Sequence, residues 1–214
     1  MRTVNVGLIG LGTVGGGVVR ILQEHHEDFL RNQGVDLRLI ACASREPQQA
    51  DELGISDIFS LDGYDVINNP EVDVVIELVG GTTIAKDFVL AALKAGKHVV
   101  TANKALMATD GREVLELAQK NGLEVALEAS VGGGIPIIGP LTHSLTANRI
   151  DSVMGIVNGT TNYMLTRMSE DSLDYATALA EAQAKGFAEA DPSADVNGLD
   201  AAAKIAILAS IAFN

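Results

Sequence analysis

Short apolar stretches alternate with amphipathic ones through the first part of the chain. Residues 4–9 are apolar and rich in β-branched side chains, which predicts a buried strand. The residues after Gly15 are apolar at helical spacing, and we expect that helix to reach about Arg31 and to end at Gly34. Further strands are predicted over residues 37–44, 72–79, 98–101 and 123–128, with helices over residues 84–95 and 109–120.

Strands that alternate with helices in this order predict an α/β fold of Rossmann type, with a doubly wound parallel sheet. Ligands of such sheets bind across the carboxyl ends of the strands. The stretch over residues 48–61 is polar and weakly patterned, so only a short helix and a loop are expected there.

A glycine- and proline-rich segment, residues 129–136, marks a change in composition that is typical of a connection between domains. We therefore predict one domain over residues 1–131 and a second, α+β domain over residues 132–214. In the second domain we expect helices over residues 138–146, 174–185 and 199–213, a strand over residues 149–157, and a helix that Asn158 caps.

Composition and charge exclude several classes of function. Of the 214 residues 47% are hydrophobic, which is enough for a packed core, and a net charge of −13 argues against binding to nucleic acid or an anionic membrane. Cys42 is the only cysteine, which excludes an intrachain disulfide and fits a reducing compartment. The start of the chain lacks the layout of a signal peptide, and no apolar run is long enough to span a bilayer. We expect a cytoplasmic protein.

The turn after the first strand has the pattern G-x-G-x-x-G, at Gly10, Gly12 and Gly15. Gly10 permits a tight turn, Gly12 has no Cβ to keep a pyrophosphate away from the backbone, and Gly15 lets the helix lie close to the strand. The phosphates would then meet the unpaired N–H groups of that helix. An ordinary glycine-rich turn can have the same pattern, but the flanking strand and helix favour a dinucleotide site that includes Thr13 and Val14.

The residue that faces the 2′ position of the ribose distinguishes NADP from NAD. A count of about twenty residues from the glycines reaches Asp36, the type of residue found in NAD sites. Asp36 stands at the start of the second strand, however, whereas the ribose lies at the carboxyl end, beside Ser44 and Arg45. An arginine suits a 2′-phosphate, so NADP is favoured over NAD; the alternative is that Arg45 is a solvated loop residue.

Two further loops follow predicted strands at their carboxyl ends and should gather beside the same cofactor. The residues assigned to the cofactor site in these loops are Gly80, Thr83, Ala102 and Lys104.

The stretch over residues 186–200 is dense in carboxylates, and Lys204 follows one helical turn after Asp200. A solvated acidic loop with a surface ion pair is the simplest interpretation. The helix that carries Lys204 is otherwise almost wholly apolar, however, so its lysine is expected to face a partly dry cleft. Carboxylates beside a nucleotide site would also suit the ammonium group of a substrate.

Several of these segments together resemble homoserine dehydrogenase over nearly the whole chain. The segments are the turn G-L-G-T-V-G, residues 101–104 (T-A-N-K), residues 158–163 (N-G-T-T-N-Y), and the run from Gly186 to Lys204. The resemblance implies NAD(P)-dependent interconversion of L-homoserine and L-aspartate 4-semialdehyde, in the branch that leads to threonine, isoleucine and methionine.

The resemblance also assigns roles to individual residues. Lys204 matches the proton donor of the family, with Lys104 as the rival for that role. Glu189 matches a homoserine ligand, and Lys104 a contact to cofactor and substrate. Asp195 and Asp200 match acidic residues around the substrate, and we expect Asp200 to orient Lys204.

The family further implies a structural monovalent cation, usually sodium, at the positions of Glu128, Val131, Gly133 and Ile135. Family members continue beyond this chain, so we expect a fragment whose cofactor binding survives better than its turnover. The full-length protein is expected to be a homodimer that pairs through the second, substrate-binding domain.

Two alternatives to this enzyme remain at the level of the sequence. One is a non-catalytic dinucleotide-binding module or redox sensor, and the other is an amino-acid dehydrogenase that acts at the α-carbon. Lys204 argues against the sensor, because only a hydride-transfer enzyme needs a group that moves the hydroxyl proton.

Overall fold

The computed structural model describes residues 2–213, and the chain divides into two units, Met1–Ser130 and Val131–Asn214. Within residues 2–213 no helix is both long and apolar enough to cross a membrane. The cofactor-binding and substrate-binding roles expected for the two domains remain predictions at this stage.

The first unit is built on a six-stranded sheet in the order β3-β2-β1-β4-β5-β6, and every neighbouring pair is parallel. This order is that of a Rossmann fold, which confirms the predicted fold class. The strands are β1 (Arg2–Ile9), β2 (Val35–Ala43), β3 (Phe59–Ser60), β4 (Val74–Glu77), β5 (His98–Thr101) and β6 (Val125–Ala126).

The register brings the carboxyl ends of the four central strands to one line. Ile9 at the end of β1 is level with Ala43 of β2 and with Glu77 of β4, and Glu77 is level with Thr101 of β5. The loops that follow these strands therefore start side by side, as the sequence predicts for a doubly wound sheet.

Helices flank the strands of the first unit. They are α1 (Thr13–Glu24), α2 (His26–Gln33), α3 (Gln48–Glu52), α4 (Gly63–Asn68), α5 (Thr83–Lys94) and α6 (Lys104–Lys120), with 3₁₀ turns at Ser56–Ile58 and Glu128–Ser130. The single helix predicted after Gly15 is divided at His25, whose ψ of 16° departs from helical geometry. The division lets α2 contact β2, and Gly34 ends α2 as expected.

Two elements of the first unit were not predicted. Strand β3 has only two residues and α4 only six, which is too short for a hydrophobic period to be visible in the sequence. The side chain of Asp62 starts α4 by accepting a hydrogen bond from Tyr64 N at 2.9 Å.

The core of the first unit packs α1 against β1 and β2. Leu8, Leu11, Val19 and Cys42 are buried together there. Burial raises the pKa of the Cys42 thiol to about 11, so this cysteine stays protonated and unreactive at neutral pH.

The second unit consists of helices α7 (Gly159–Glu170), α8 (Tyr175–Ala184), α9 (Ser193–Val196) and α10 (Leu199–Ala212), with a π-helical turn at Pro140–Ser144. Asn158 caps α7 as predicted, and its Oδ1 accepts a hydrogen bond from Thr161 N at 2.8 Å. The helix predicted over residues 138–146 is reduced to the π-helical turn.

The strand predicted over residues 149–157 is wrong, because the described part of the second unit contains no strand. A β-branched pattern indicates a tendency to extend, but a strand also needs a neighbour that satisfies its backbone hydrogen bonds. The described residues supply no such neighbour for this segment, and Met154 and Ile156 are 93% and 79% exposed.

Gly63 offers a test of the packing in the first unit. A Cβ at this position would lie 2.7 Å from Cζ of Phe88, whereas a Cβ at Gly17, inside α1, would meet nothing within 4 Å. We expect Gly63→Ala to lower the free energy of unfolding by about 1–3 kcal/mol because Phe88 must shift. Gly17→Ala should raise it by about 0.5–1 kcal/mol. Urea denaturation checks both values, and a stable Gly63→Ala variant would contradict the packing described here.

Candidate functional site

The glycine turn after β1 has the geometry that a phosphate-binding turn requires. Gly10 has a φ of +103°, and a Cβ there would lie 2.7 Å from the carbonyl of Leu78. A Cβ on Gly15 would lie 2.0 Å from the carbonyl oxygen of Gly10, so the helix can approach the turn only with glycine at this position. A Cβ on Gly12 would meet nothing within 4 Å. Space is therefore open beside Gly12, directly before the N-terminus of α1.

A buried carboxylate organises the loop that follows β4. The side chain of Glu77 is fully buried, and its Oε1 accepts hydrogen bonds from Val79 N at 2.8 Å and Gly80 N at 3.3 Å. Its Oε2 accepts a hydrogen bond from Thr101 Oγ1 at 2.8 Å. These hydrogen bonds fix the start of the loop and also connect β4 to β5.

Asn103 extends this connection to the loop after β5. Its Nδ2 donates to the carbonyl oxygen of Gly81 at 2.6 Å, and its Oδ1 caps α6 by accepting from Leu106 N at 3.1 Å. Lys104, the first residue of α6, is held directly beside this cap. Ala102 lies between β5 and this cap. The hydrogen bonds of Glu77 and Asn103 therefore connect the two loops in which the cofactor-site positions were predicted.

Glu77 and Asn103 were not predicted from the sequence. The sequence does contain a signal for Glu77, because it is the only charged residue in the apolar strand V-V-I-E-L-V. A carboxylate in such a strand is buried only when it is hydrogen-bonded, which indicates a structural role.

Asp36 and Arg45 lie at opposite ends of β2. Asp36 is level with Thr3 at the amino end, where its Oδ2 accepts a hydrogen bond from Arg38 Nε at 2.7 Å. That hydrogen bond holds the pKa of Asp36 below its ordinary value. Arg45 follows the carboxyl end of β2 and is exposed. Because Gly10 N donates to Ala43 O at 2.8 Å, the end of β2 that precedes Arg45 is the one fixed beside the glycine turn.

The lysine of the second unit is held by two acceptors. Lys204 Nζ donates to Asp200 Oδ2 at 2.7 Å and to the carbonyl oxygen of Val157 at 2.7 Å. The side chains of Lys204 and Asp200 are only 19% and 8% exposed. The predicted i,i+4 pair is therefore present, and it is shielded from solvent more than a surface ion pair would be.

Asp195 belongs to the same set of hydrogen bonds. Its Oδ1 accepts from Asn158 Nδ2 at 2.7 Å, and its Oδ2 lies 2.8 Å from Thr160 Oγ1. Asn158 Nδ2 also donates to Asp200 Oδ2 at 2.9 Å. The structure thus joins Asp195, Asp200 and Lys204 in one network through Asn158, which lies about 40 residues earlier in the chain.

The other carboxylates of the acidic stretch have different surroundings. Asp191 accepts a hydrogen bond from Ser193 Oγ at 2.5 Å, which lowers the pKa of its carboxyl group and starts the turn into α9. Glu189 is exposed, and its backbone carbonyl accepts from Gln183 Nε2 of α8 at 3.1 Å. Glu189 therefore presents its carboxylate from a loop whose backbone is attached to α8.

The positions implied for a cation fall on both sides of the division between the units. Glu128 belongs to the first unit, and Val131, Gly133 and Ile135 belong to the second. Residues 2–213 contain no group of three or more His, Cys, Asp or Glu side chains that could hold a metal ion. A cation at these positions would need backbone carbonyl oxygens beside the Glu128 carboxylate, and hard monovalent cations accept such oxygen ligands.

Comparison with known families matches both units. Residues 10–128 match the family model described as homoserine dehydrogenase, NAD binding domain, and residues 136–214 match the one described as homoserine dehydrogenase.

Individual relatives are similar over the whole chain. The homoserine dehydrogenase of Pseudomonas aeruginosa is 49% identical over 213 residues, which are 100% of this chain and 49% of that protein. The enzyme of Bacillus subtilis is 47% identical over 215 residues, covering 100% and 50%. The chain therefore spans about half the length of these relatives.

Solved structures give the same result. A crystal structure of a homoserine dehydrogenase from Thiobacillus denitrificans has a TM-score of 0.93 at 45% identity, covering 99% of this chain and 49% of that one. A hyperthermophilic archaeal homoserine dehydrogenase in complex with NADPH has a TM-score of 0.85 at 28% identity, covering 99% and 70%. Family models match both units, and relatives 49% and 47% identical match over the whole chain, so the chain belongs to the homoserine dehydrogenase family.

Proposed function

We propose that the protein catalyses the NAD(P)-dependent interconversion of L-homoserine and L-aspartate 4-semialdehyde. The observation that carries the proposal is the shielded Lys204–Asp200 pair, in a chain whose first unit has a nucleotide-binding fold. A non-catalytic dinucleotide-binding module would have no use for such a lysine, and the relatives named above are dehydrogenases. The reaction belongs to the branch of biosynthesis that leads to threonine, isoleucine and methionine, and we place it in the cytoplasm.

The nicotinamide cofactor, when bound, supplies the hydride for reduction of the aldehyde carbon. As negative charge grows on the carbonyl oxygen, the Lys204 ammonium donates a proton to it, and the alcohol forms. Asp200 keeps the lysine oriented during this step. Glu189 and Asp195 bind the ammonium group of the substrate, and Lys104 contacts the cofactor and the substrate carboxylate.

We further propose NADP as the preferred cofactor. Arg45 follows the carboxyl end of β2, where a 2′-phosphate would accept its hydrogen bonds. The archaeal relative in complex with NADPH supports a nicotinamide dinucleotide in this family.

Two other features complete the proposal. A sodium ion would be held by Glu128 and the carbonyl groups of Val131, Gly133 and Ile135, the positions that the family resemblance implies. A homodimer would form through the second unit, where Met154 and Ile156 expose apolar side chains that a second copy could cover.

Gly12→Val tests the cofactor site without disturbing the fold. Gly12 has a φ of −57° and a ψ of −167°, which other residues adopt, and its side chain would enter the open space beside the turn. We expect calorimetry to detect no binding of NADPH, and circular dichroism to match the unchanged protein. Gly17→Ala serves as the control and should bind normally. Undiminished binding by Gly12→Val would place the phosphates elsewhere.

Arg45→Ala tests the choice of cofactor. The variant should lose affinity for NADPH by about 1.5–3 kcal/mol, because a charge-assisted contact to the 2′-phosphate is removed, and its affinity for NADH should hardly change. Titrations with both cofactors on both proteins give the comparison. Equal losses for NADPH and NADH would mean that Arg45 does not contact the 2′ position.

Lys204→Ala tests the assigned chemistry. We expect kcat for aspartate semialdehyde reduction to fall by about 10² to 10⁴, with little change in KM, because a positioned acid is lost. Glu189→Ala should instead raise KM for the amino-acid substrate and leave NADPH affinity unchanged. Steady-state kinetics with NADPH measure both variants, and Lys104→Ala is compared with them. Near-normal kcat in Lys204→Ala, together with its loss in Lys104→Ala, would reverse the roles of the two lysines.

A further inference from the structure

The side-chain amide of Asn158 lies between two carboxylates. Its Nδ2 donates to Asp195 Oδ1 at 2.7 Å and to Asp200 Oδ2 at 2.9 Å. Asn158 and Asp200 are both buried. An amide nitrogen carries two hydrogens, so each carboxylate receives one of them. Two carboxylates repel each other and only accept hydrogen bonds. Because the amide donates to both, Asp195 and Asp200 can lie close together at a fixed distance.

The other end of the Asn158 amide is also fixed. Its Oδ1 accepts hydrogen bonds from Thr161 N at 2.8 Å and from Thr161 Oγ1 at 2.7 Å. These contacts attach the side chain to the first turn of α7 and determine which end of the amide faces the carboxylates. The position of the donor is therefore set by a helix that carries neither carboxylate.

The contacts of Asn158 continue to the lysine. Asp200 Oδ2 accepts from both Asn158 Nδ2 and Lys204 Nζ. The second acceptor for Lys204 is the carbonyl oxygen of Val157, the residue directly before Asn158. One N–H bond of the ammonium group therefore points at the carbonyl oxygen of Val157. A second points at Asp200, which Asn158 holds in place. Once two directions are set, tetrahedral geometry sets the third.

We propose that Asn158 is a positioning residue, whose amide holds Asp195 and Asp200 at a fixed spacing and through Asp200 aims the third N–H of Lys204. The catalytic consequence rests on the proposed function, in which that N–H delivers the proton. Without the amide, the two carboxylates repel, Asp200 shifts from its position, and the ammonium group loses its fixed direction. A misplacement of about 1 Å in a reacting group can cost about 10²-fold in rate.

The chain offers a matched pair of positions for the test. Asn158 and Asp174 are both N-caps that accept hydrogen bonds from the N–H and the hydroxyl of a threonine three residues later. Serine retains capping at either position. Asn158→Ser therefore removes the amide donors and keeps the cap, whereas Asp174→Ser makes the same type of change in α8, away from Asp195 and Asp200.

The first measurement is the hydrogen exchange rate of the Lys204 ammonium group, observed by ¹⁵N NMR on this chain and assigned with Lys204→Arg. Asn158→Ser should raise the rate by about tenfold or more, as hydrogen bonds to Asp200 are lost, and Asp174→Ser should leave it within about a factor of two. If Asn158→Ser does not fold, Asn158→Thr also removes the amide donors and keeps a capping hydroxyl, and it should give the same increase. If a folded Asn158 variant shows the same exchange rate as the original protein, the proposal is overturned. It is also overturned if Lys204 in the original protein exchanges as fast as Lys120, which is exposed.

The second measurement separates this inference from the proposed function. Where the unchanged chain reduces aspartate semialdehyde, Asn158→Ser should lower kcat by about 10- to 100-fold and leave NADPH affinity unchanged. Normal kcat in that variant, despite faster exchange, would overturn the role in catalysis. Absence of turnover in the unchanged chain would contradict the proposed function for this chain, and the exchange rates would still decide whether Asn158 positions Lys204.

Discussion

The parallel register of β1 with β2 and β4 is the constraint on which the candidate cofactor site depends. Because Ile9, Ala43 and Glu77 are level, the loops that follow them begin at the same edge of the sheet. The glycine turn can then bend close to Leu78, since Gly10 adopts a φ of +103° and Gly15 admits the Gly10 carbonyl. Buried hydrogen bonds from Glu77 and Asn103 fix the loops that follow β4 and β5. Glu77, Thr101 and Asn103 are each hydrogen-bonded at this edge. The loops therefore keep their positions, and the space beside Gly12 stays open to a ligand.

In the second unit the main constraint is the repulsion between two neighbouring carboxylates. Asp195 and Asp200 are brought together at a shielded location, which is unfavourable unless donors compensate their charges. Lys204 donates a hydrogen bond to Asp200, and the Asn158 amide supplies neutral donors to both carboxylates. The lysine is consequently held in one direction and partly removed from water. A proton donor in a reductase needs these properties, and a lysine in a solvated acidic loop would lack them.

The sequence predicted the elements that depend on local chemistry and missed those that depend on distant partners. The glycine turn, β5 and the Asn158 cap follow from short-range patterns and were correct. Strand β3 and helix α4 were too short to have a visible period, and the predicted strand over residues 149–157 lacked a neighbour in the described chain. The donor role of Asn158 could not be predicted, because Asp200 lies 42 residues further along the chain. The Lys204–Asp200 contact was predictable, since an i,i+4 spacing places both residues on one helix face.

The proposed activity of this chain is the reduction of an aldehyde to an alcohol by NADPH, with Lys204 as the proton donor. The decisive experiment adds L-aspartate 4-semialdehyde and NADPH to the purified chain and identifies the product by mass spectrometry. Homoserine should form in equal amount to the NADPH that is oxidised. Saturable NADPH binding with no homoserine, under conditions where a full-length relative forms it, would contradict the claim.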